Sequence, residues 1–477
     1  MTSSHNLALA EESALAKLQR FVNDRRAAKP VEDFERFERE LHSLCGEVER
    51  EIAAEELARL DMDVPVIKVS GVLHRRVVRC ADTYFGAAGE LRVTRTLYST
   101  REECERAVSP MELRAGIVEG RWTPLAAKQA MWVVAHMTPQ EAEDLFEMLG
   151  GMTPSKSSLD RLPKQISQRW ELNRQQFEEE LRAQEPVPER AVTVAVSLDG
   201  VLVPMKDGER QAKRDESLAQ GKEQRGPAGY QEVGCGTVSF YDREGERLAT
   251  KRLGRMPEHK KATLKGMLRE ELLAALAQCP ELQVVAVADG AKDNWTFLGR
   301  ELLEGVEGVK LIQVVDFFHA AEQLHRALEA AYGEGSPACA AQFQKLRHIL
   351  REEIGGNEKV IRALEHLQRG RRGRKTVVRV RKFFCKNRRR MQYAKWAAAG
   401  LPIGSGVVEA ACKTLATQRM KRSGMRWRED GGQAILTFRG LVQSDRFDRA
   451  WKLVAAGYKP TVTLPKNVVA FGTSRAN

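Results

Sequence analysis

Runs of β-branched apolar residues predict strands in the middle of the chain. Three such runs occupy residues 192–198, 282–288 and 309–315. Because they contain few polar positions, they are typical of strands buried on both faces of a sheet. An aspartate directly follows each run, at Asp199, Asp289 and Asp316. A carboxylate that ends a buried strand lies at the rim of the sheet, where water and a ligand reach it.

The residues between these runs predict the rest of the sheet. Residues 231–240 and 246–253 flank the turn signal 242–245 and predict a β-hairpin. Helical spacing follows at residues 259–277 and 293–304. Because one helix separates the last two strands, these strands should be parallel. The polar stretch 206–229 predicts a mobile loop.

This element order predicts an α/β fold with a ribonuclease-H-like mixed sheet. Three antiparallel strands lead into two parallel strands, and in that fold the first and fourth strands are neighbours. The order therefore predicts that Asp199 and Asp289 lie within reach of one cation. Beyond Asp316 the apolar spacing is helical to about residue 400, with helices expected at 317–332 and 339–354.

The N-terminal part is predicted to be mostly helical. An apolar stripe at helical spacing comprises Phe34, Phe37, Leu41, Leu44, Val48 and Ile52. This helix either packs on its own domain or forms a short coiled-coil contact in a dimer. Residues 64–96 then predict a small β-hairpin around Gly86 and Gly89.

Three Thr-Pro pairs predict three successive short helices, because threonine is a common N-cap and proline suits the first helical position. The pairs are Thr123-Pro124, Thr138-Pro139 and Thr153-Pro154. Helices 138–149 and 154–170 would resemble a helix-turn-helix, with Pro163 kinking or splitting the second. This pair could recognise DNA or be a helical hairpin without a DNA role. Residues 183–189, with two prolines, predict a linker.

The composition of the chain indicates which class of partner and which cellular compartment to expect. The chain of 477 residues has a formal net charge of +12 at pH 7, which favours a polyanionic partner. Its eight cysteines form no C-x-x-C pair, so a zinc ribbon is not expected. No apolar run has the length of a membrane span and no signal-like segment follows the N-terminus. We therefore expect a cytoplasmic protein with free thiols and no membrane association.

The strongest charge run lies in the predicted helical stretch. Arg369 to Lys395 contains 13 Lys and Arg residues and no acid. A solvated charge run is the simpler interpretation, but so many unopposed positive charges favour contact with nucleic acid. The DNA-binding residues predicted here are Arg371, Arg372, Arg374, Lys375, Arg388, Arg389 and Arg390.

A glutamate far downstream completes the acidic set. Glu409 follows the glycine-rich residues 404–406, which permit close approach of a phosphate to a helix N-terminus. With Asp199 and Asp289, Glu409 could hold two Mg²⁺ or Mn²⁺ ions through oxygen ligands. Each aspartate alone could instead be a turn residue, because both precede glycine.

Positive charge continues beyond Glu409. The DNA-binding residues predicted in this stretch are Lys413, Arg419, Lys421, Arg422 and Arg426. They would hold phosphates near the cations, and a solvated helix face is the alternative. His319 lies one helical turn from Asp316, which predicts a supporting role beside the site.

Five motifs together resemble the DDE transposases of bacterial insertion sequences. They are Ser197-Leu-Asp-Gly, Ala288-Asp-Gly-Ala-Lys-Asp-Asn-Trp295, Asp316-Phe-Phe-His319, Gly404-Ser-Gly-Val-Val-Glu-Ala-Ala-Cys-Lys413 and Arg419-Met-Lys-Arg-Ser-Gly-Met-Arg-Trp427. The likeness covers residues 190–445 and is nearest to the ISKra type, which is related to the Mutator-like group. It implies that Asp199, Asp289 and Glu409 are the catalytic metal ligands. It also implies that Asp316 and His319 match the C/D-x-x-H signature, which makes His319 a catalytic candidate.

The resemblance also implies a domain plan. The predicted regions are an N-terminal helical segment (1–62), an end-binding region with the hairpin and the helix-turn-helix-like pair (63–182), a ribonuclease-H-like core (190–325 and 401–445), an all-α basic insertion (326–400) and a tail (446–477). The N-terminal region of this group often carries cysteine pairs. None occurs here, so a zinc-bound element is not expected.

The activity implied is metal-dependent cleavage at the ends of a mobile element, followed by joining of the 3′-hydroxyls to target DNA. The partners implied are double-stranded DNA, both terminal inverted repeats and target, and at least one further copy of the chain. The expected location is the bacterial cytoplasm, at the nucleoid. The alternatives are a nuclease or resolvase of the same fold that does not join strands, and a domesticated DNA-binding regulator.

Overall fold

The computed structural model describes residues 12–100, 107–206, 215–221 and 229–465. The chain divides into two units, one formed by Met1–Trp170 with Asp448–Asn477 and the other by Glu171–Phe447. Both contain helices and a β-sheet, so the fold is mixed α/β, as predicted. In the described part of the chain, no helix has the length and apolar character needed to cross a membrane.

The first unit combines helices with a four-stranded sheet in the order β3-β2-β1-β9. Its strands are β1 (Val66–Val69), β2 (Val72–Gly86), β3 (Gly89–Ser99) and β9 (Val462–Thr463). Its helices are α1 (Ala14–Ala27), α2 (Phe34–Arg59), α3 (Pro110–Ala115), α4 (Pro124–His136), α5 (Pro139–Leu149), α6 (Lys156–Leu172) and α17 (Phe447–Ala456). The predicted hairpin is confirmed as β2 and β3, which turn between Gly86 and Gly89. Strands β1 and β9 extend it into a sheet that the sequence did not predict.

The predicted N-terminal helix is confirmed as α2, but its apolar stripe is only partly covered. The ring of Phe37 stacks on Phe21 of α1, with centroids 5.8 Å apart. Phe34 and Ile52 at the two ends of the stripe remain 59% and 58% exposed. Packing within the unit therefore accounts for the middle of the stripe, and a coiled-coil contact stays a prediction.

Two of the three predicted helix caps are confirmed. Thr123 and Thr138 cap α4 and α5, and Thr138 forms a capping box with Glu141. The third prediction is wrong, because α6 begins at Lys156 and the hydroxyl of Ser155 accepts the N–H of Ser158 at 3.3 Å. Helix α6 also continues through Pro163 without a break. The proline is buried with the apolar face of the helix, so packing maintains the helix despite the missing N–H.

The second unit is built on a five-stranded sheet in the order β6-β5-β4-β7-β8. Its strands are β4 (Thr193–Pro204), β5 (Tyr230–Tyr241), β6 (Arg247–Arg255), β7 (Gln283–Ala288) and β8 (Leu311–Val315). Strands β4, β5 and β6 pair antiparallel, whereas β4–β7 and β7–β8 pair parallel. The predicted hairpin, the parallel pair and the contact between the first and fourth strands are confirmed. Most of the predicted mobile loop 206–229 lies outside the described residues.

The prediction that the first strand ends at Asp199 is wrong. β4 continues to Pro204 because its antiparallel partner β5 pairs with it over the whole length. The parallel pairing with β7 ends earlier, at Ser197 and Val287. Gly200 allows the Glu232 side chain of β5 to pack against β4, since a Cβ there would lie 2.1 Å from its carboxylate. Asp199 therefore lies in the interior of one strand, just beyond the end of its parallel neighbour.

The helices of the second unit follow the predicted pattern. They are α7 (Arg174–Ala183), α8 (Ala262–Gln278), α9 (Lys292–Thr296, continued by a π-helical turn Phe297–Glu301), α10 (Phe317–Tyr332), α11 (Pro337–Glu352), α12 (Gly356–Leu367), α13 (Arg374–Asn387), α14 (Tyr393–Ala398), α15 (Gly406–Ala411, continued by a π-helical turn to Thr417) and α16 (Glu429–Gln443). The all-α character of the stretch between β8 and α15 is confirmed. Its apolar residues and those of β4, β7 and β8 share one core.

A buried ion cluster anchors the predicted linker 183–189. Residues 184–189 lie outside the helices and strands, but the carboxylate of Glu185 is buried and paired with Arg446 at 2.8 Å. Arg446 also binds Glu271 at 2.7 Å, and Lys251 binds the same carboxylate at 2.7 Å. Two cations and two acids therefore neutralise one another inside the unit. The ion pair of Glu185 holds the linker against the second unit.

The ion cluster predicts a pH dependence of stability. Burial alone would raise the pKa of Glu271, but Arg446 and Lys251 outweigh it and lower the pKa from 4.5 to about 2. The stabilisation is therefore complete above the unfolded pKa and is lost as pH falls from about 4.5 toward 2. We expect the free energy of unfolding to decrease over that range, measured by urea titration at each pH. In Glu271→Gln the free energy of unfolding should decrease less steeply over this pH range. A decrease as steep as that of the parent would show that Glu271 does not cause the pH dependence.

Candidate active site

Asp199 and Asp289 lie side by side at one end of the parallel strands. The last parallel pair is Ser197 with Val287, and each aspartate follows two residues later on its own chain segment. Asn294 bridges the two segments, because its side-chain amide donates to Asp289 Oδ1 at 3.2 Å and to the carbonyl of Leu198 at 3.3 Å. The two carboxylates therefore share one edge of the sheet, as the sequence predicted.

The pKa of Asp199 reflects this arrangement. Burial is the largest cause of its raised pKa, and the negative charge of Asp289 raises it further. The N–H of Gly200, the ammonium of Lys261 and the thiol of Cys412 oppose the shift without cancelling it. A buried carboxylate whose charge is opposed further by a neighbouring carboxylate is an arrangement that a bound cation would relieve.

Glu409 lies in the first turn of α15 and is exposed. Its Oε1 accepts a hydrogen bond from the hydroxyl of Ser405 at 2.7 Å. The backbone N–H of Ser405 in turn donates to Asp316 Oδ1 at 2.8 Å. The charge of Glu409 also contributes to the raised pKa of Asp316, for which burial is the largest cause. Ser405 therefore links Glu409 to the acid that follows β8.

Cys412 provides the link between the Glu409 helix and Asp199, and sequence reasoning missed it. Its thiol donates to Asp199 Oδ2 at a sulfur–oxygen distance of 3.8 Å. Cys412 lies three residues after Glu409, so the two side chains share a helix face. This spacing was visible in the sequence, but the partner of the thiol was not. The same thiol neighbours Cys235, which is opposite Asp199 on β5.

If the acidic edge holds a metal ion that cleaves DNA, Cys412→Ala should slow this cleavage by about 10–100-fold, the usual effect of losing a group that positions a metal ligand. The substitution removes the contact between Asp199 and the helix that carries Glu409. Cys412→Ser keeps a donor and should stay close to the parent rate. Single-turnover cleavage at saturating Mg²⁺ measures both, and an equally slow rate in the two variants would indicate a packing effect instead.

The donor chemistry of this edge fits a hard divalent cation. Asp199, Asp289, Asp316 and Glu409 supply only carboxylate oxygens, which Mg²⁺ and Mn²⁺ prefer. In the arrangement that the structure describes, no three His, Cys, Asp or Glu side chains lie close enough together to hold a metal ion. Glu409 is instead hydrogen-bonded to Ser405. Asp199 is thus adjacent to Asp289, whereas Glu409 is connected to Asp316 through hydrogen bonds of Ser405.

Asp316 and His319 are joined through the helix cap rather than through the imidazole ring. Asp316 Oδ2 accepts the backbone N–H of His319 at 2.7 Å at the start of α10. The ring of His319 lies 3.4 Å from the amide of Gln323 and makes an edge contact with Phe383. Within the described residues the ring makes no hydrogen bond to a carboxylate, and a catalytic role for His319 stays a prediction.

The predicted DNA-binding residues differ in exposure. The exposed members are Arg371, Arg372, Arg374, Lys375, Arg388, Arg389, Lys413, Lys421 and Arg426. Arg390 is partly buried, since its guanidinium lies 4.1 Å from the Trp295 ring centroid and its Nε donates to Gln313. Arg419 is buried with its guanidinium over the ring of Trp427, and Arg422 is partly buried. Packing thus engages Arg390 and Arg419, and Arg388 lies 3.5 Å from Glu358, whereas the other exposed cations face solvent.

Helix α13 carries some of these exposed cations and also packs against the acidic edge of the sheet. A Cβ on Gly290 would lie 2.3 Å from the ring of Phe383, so the glycine after Asp289 allows α13 to pack there. The basic helix is thereby fixed next to one of the paired aspartates.

Comparison with known proteins gives no family for this chain. No family model matches the sequence, and no curated protein matches it. Function must therefore be inferred from the residues and their geometry.

Proposed function

We propose that the chain is a DDE-type DNA transposase whose second unit is a ribonuclease-H-like catalytic core. One observation carries the proposal: Asp199 on β4 and Asp289 directly after the parallel strand β7 lie at the same end of the two strands, and the Glu409 helix contacts Asp199 through Cys412. The chemistry is cleavage at the ends of a mobile element and transfer of the 3′-hydroxyls to target DNA.

The three carboxylates of Asp199, Asp289 and Glu409 would hold two Mg²⁺ or Mn²⁺ ions. Bound divalent ions supply an activated nucleophile and stabilise the leaving oxygen of an in-line displacement. The protein contributes by keeping Asp199 and Asp289 on rigid segments through Asn294. Glu409 would have to exchange the hydroxyl of Ser405 for the cation. Asp316 supports the loop before Glu409 by accepting the N–H of Ser405.

Exposed cations that follow Glu409 in the sequence support DNA as the substrate. Lys413, Lys421 and Arg426 follow Glu409 and are exposed. Positive charge at these positions would hold phosphates while the carboxylates bind the cations. The first unit would then recognise the element ends with its helices α5 and α6. Two ends must be processed together, so the active form would contain at least two copies, in the bacterial cytoplasm at the nucleoid.

The proposed function is tested with duplex DNA taken from the boundaries of the gene's own locus. The purified chain is incubated with this DNA and Mg²⁺, with EDTA as the control, and products are separated on a denaturing gel. The proposal expects strand cleavage at the element ends and products joined to target DNA. Cleavage without joining would indicate a nuclease or resolvase, and binding without cleavage would indicate a DNA-binding regulator.

A further inference from the structure

A basic cleft lies along β8, at the edge of the sheet in the second unit. Its volume is about 900 Å³. One wall is the strand edge, from Gln283 and Lys310 to Gln313. The other wall is the end of α13, the 3₁₀ turn Arg388–Arg390, and α14 with the residues after it as far as Leu401. Because β8 is the last strand of its sheet, this side is open to a ligand.

The side chains that line the cleft include many cations and no acid. The cations are Lys310, Lys386, Arg388, Arg389, Arg390 and Lys395. Arg390 is fixed on Trp295 and Gln313 and shapes the wall. Arg388 faces Glu358 at 3.5 Å, a partner outside the lining. The remaining positive charge is concentrated on one concave surface, which favours a ligand with several negative charges.

The cleft extends away from the acidic edge. Gln283 is the first residue of β7 and Lys310 precedes β8, whereas Asp289 and Asp316 follow the other ends of these strands. A strand rises about 3.3 Å per residue, so the end of the cleft at Gln283 lies roughly 15–20 Å from the acidic edge. Gln313, at the other end of the cleft, is three residues before Asp316. A polymer that fills the cleft therefore begins near the carboxylates and continues away from them.

We propose that this cleft binds the backbone of duplex DNA at a distance from the phosphate that is cut. The inference rests on the proposed function and adds a second contact for the same substrate. Six cations line one concave surface, and DNA carries a negative charge on every nucleotide, so the DNA backbone complements the cleft in charge.

The test compares two variants of the full chain with equal changes of charge. Lys386→Gln with Arg389→Gln removes two exposed cations of the cleft. Arg326→Gln with Lys345→Gln removes two exposed cations from α10 and α11, outside the lining. Binding of a fluorescent duplex is measured by anisotropy at several salt concentrations in EDTA, so cleavage does not contribute. Circular dichroism verifies that each variant is folded.

The cleft variant should bind the duplex about tenfold more weakly than the parent. Its slope of log affinity against log salt concentration should become less steep by about 1.8, because each of the two phosphates that it no longer neutralises contributes about 0.9. The control variant should keep the slope of the parent. An unchanged slope in the cleft variant, or an equal change in both variants, overturns the proposal. Binding of a polyglutamate peptide that depends on Lys386 and Arg389 and is tighter than binding of the duplex also overturns it, in favour of an acidic protein partner. If the parent itself does not bind DNA, the proposed function fails instead.

Discussion

Asp289→Asn should lower the rate of Mg²⁺-dependent DNA cleavage by about a thousandfold or more. The substitution keeps the shape of the side chain and its Oδ1, which accepts from Ala291 and Asn294. It removes the negative charge that faces Asp199 and that would bind the cation. Loss of roughly 4 kcal/mol of charge stabilisation corresponds to this factor, at 1.36 kcal/mol for each tenfold change in rate.

A neighbouring aspartate provides the matched control. Asp293 lies in the first turn of α9, is exposed, and follows Asp289 by four residues. Asp293→Asn makes the same chemical change and should leave the cleavage rate close to that of the parent. Single-turnover assays on end-containing DNA measure both variants. If Asp289→Asn cuts as fast as Asp293→Asn, the assigned chemistry is wrong.

Arg446→Met should destabilise the second unit by about 3–5 kcal/mol, the range found when one partner of a buried ion pair is removed. Arg446 is 3% exposed and contacts both Glu185 and Glu271. Without the guanidinium, each of the two buried carboxylates loses a cation, and Lys251 stays in contact with both. The expected result is a lower urea midpoint for the full chain, without loss of secondary structure before the transition.

An exposed arginine of the same unit is the control for this prediction. Arg326 pairs with Glu322 at 3.8 Å, and the two side chains are 55% and 64% exposed. Solvent screens such a pair, so Arg326→Met should change stability by less than about 1 kcal/mol. Equal shifts in the two variants would mean that the buried cluster contributes no more than a surface pair.

Local signals predicted most of the second unit correctly. The runs before Asp289 and Asp316 are strands, and one crossover helix was enough to predict the parallel pair. The place of Asp199 was harder to predict. An Asp-Gly pair is a local turn signal, but β4 continues because β5 pairs with it, and that partner is distant in sequence. Non-local pairing therefore outweighed local preference at this position.

Side-chain contacts explain most of the remaining differences. Ser155 took the capping role expected of Thr153, since both residue types serve as caps and tertiary packing chooses between them. The thiol of Cys412 and the hydroxyl of Ser405 are close to the acids only after the chain folds. Lys310 joins the basic cleft from the start of β8, far in sequence from the charge run that predicted DNA contact. Contacts between residues that are distant in the sequence become visible only in the folded structure.

The most direct test of the shared metal site is Mn²⁺ binding to the full chain, measured by electron paramagnetic resonance in the absence of DNA. Asp199→Asn, Asp289→Asn and Glu409→Gln are each compared with the parent. If three acids share the ions, every one of these variants should bind Mn²⁺ more weakly. Parent-like binding by Glu409→Gln would contradict a site that includes this residue and would leave Glu409 as the hydrogen-bond partner of Ser405 alone.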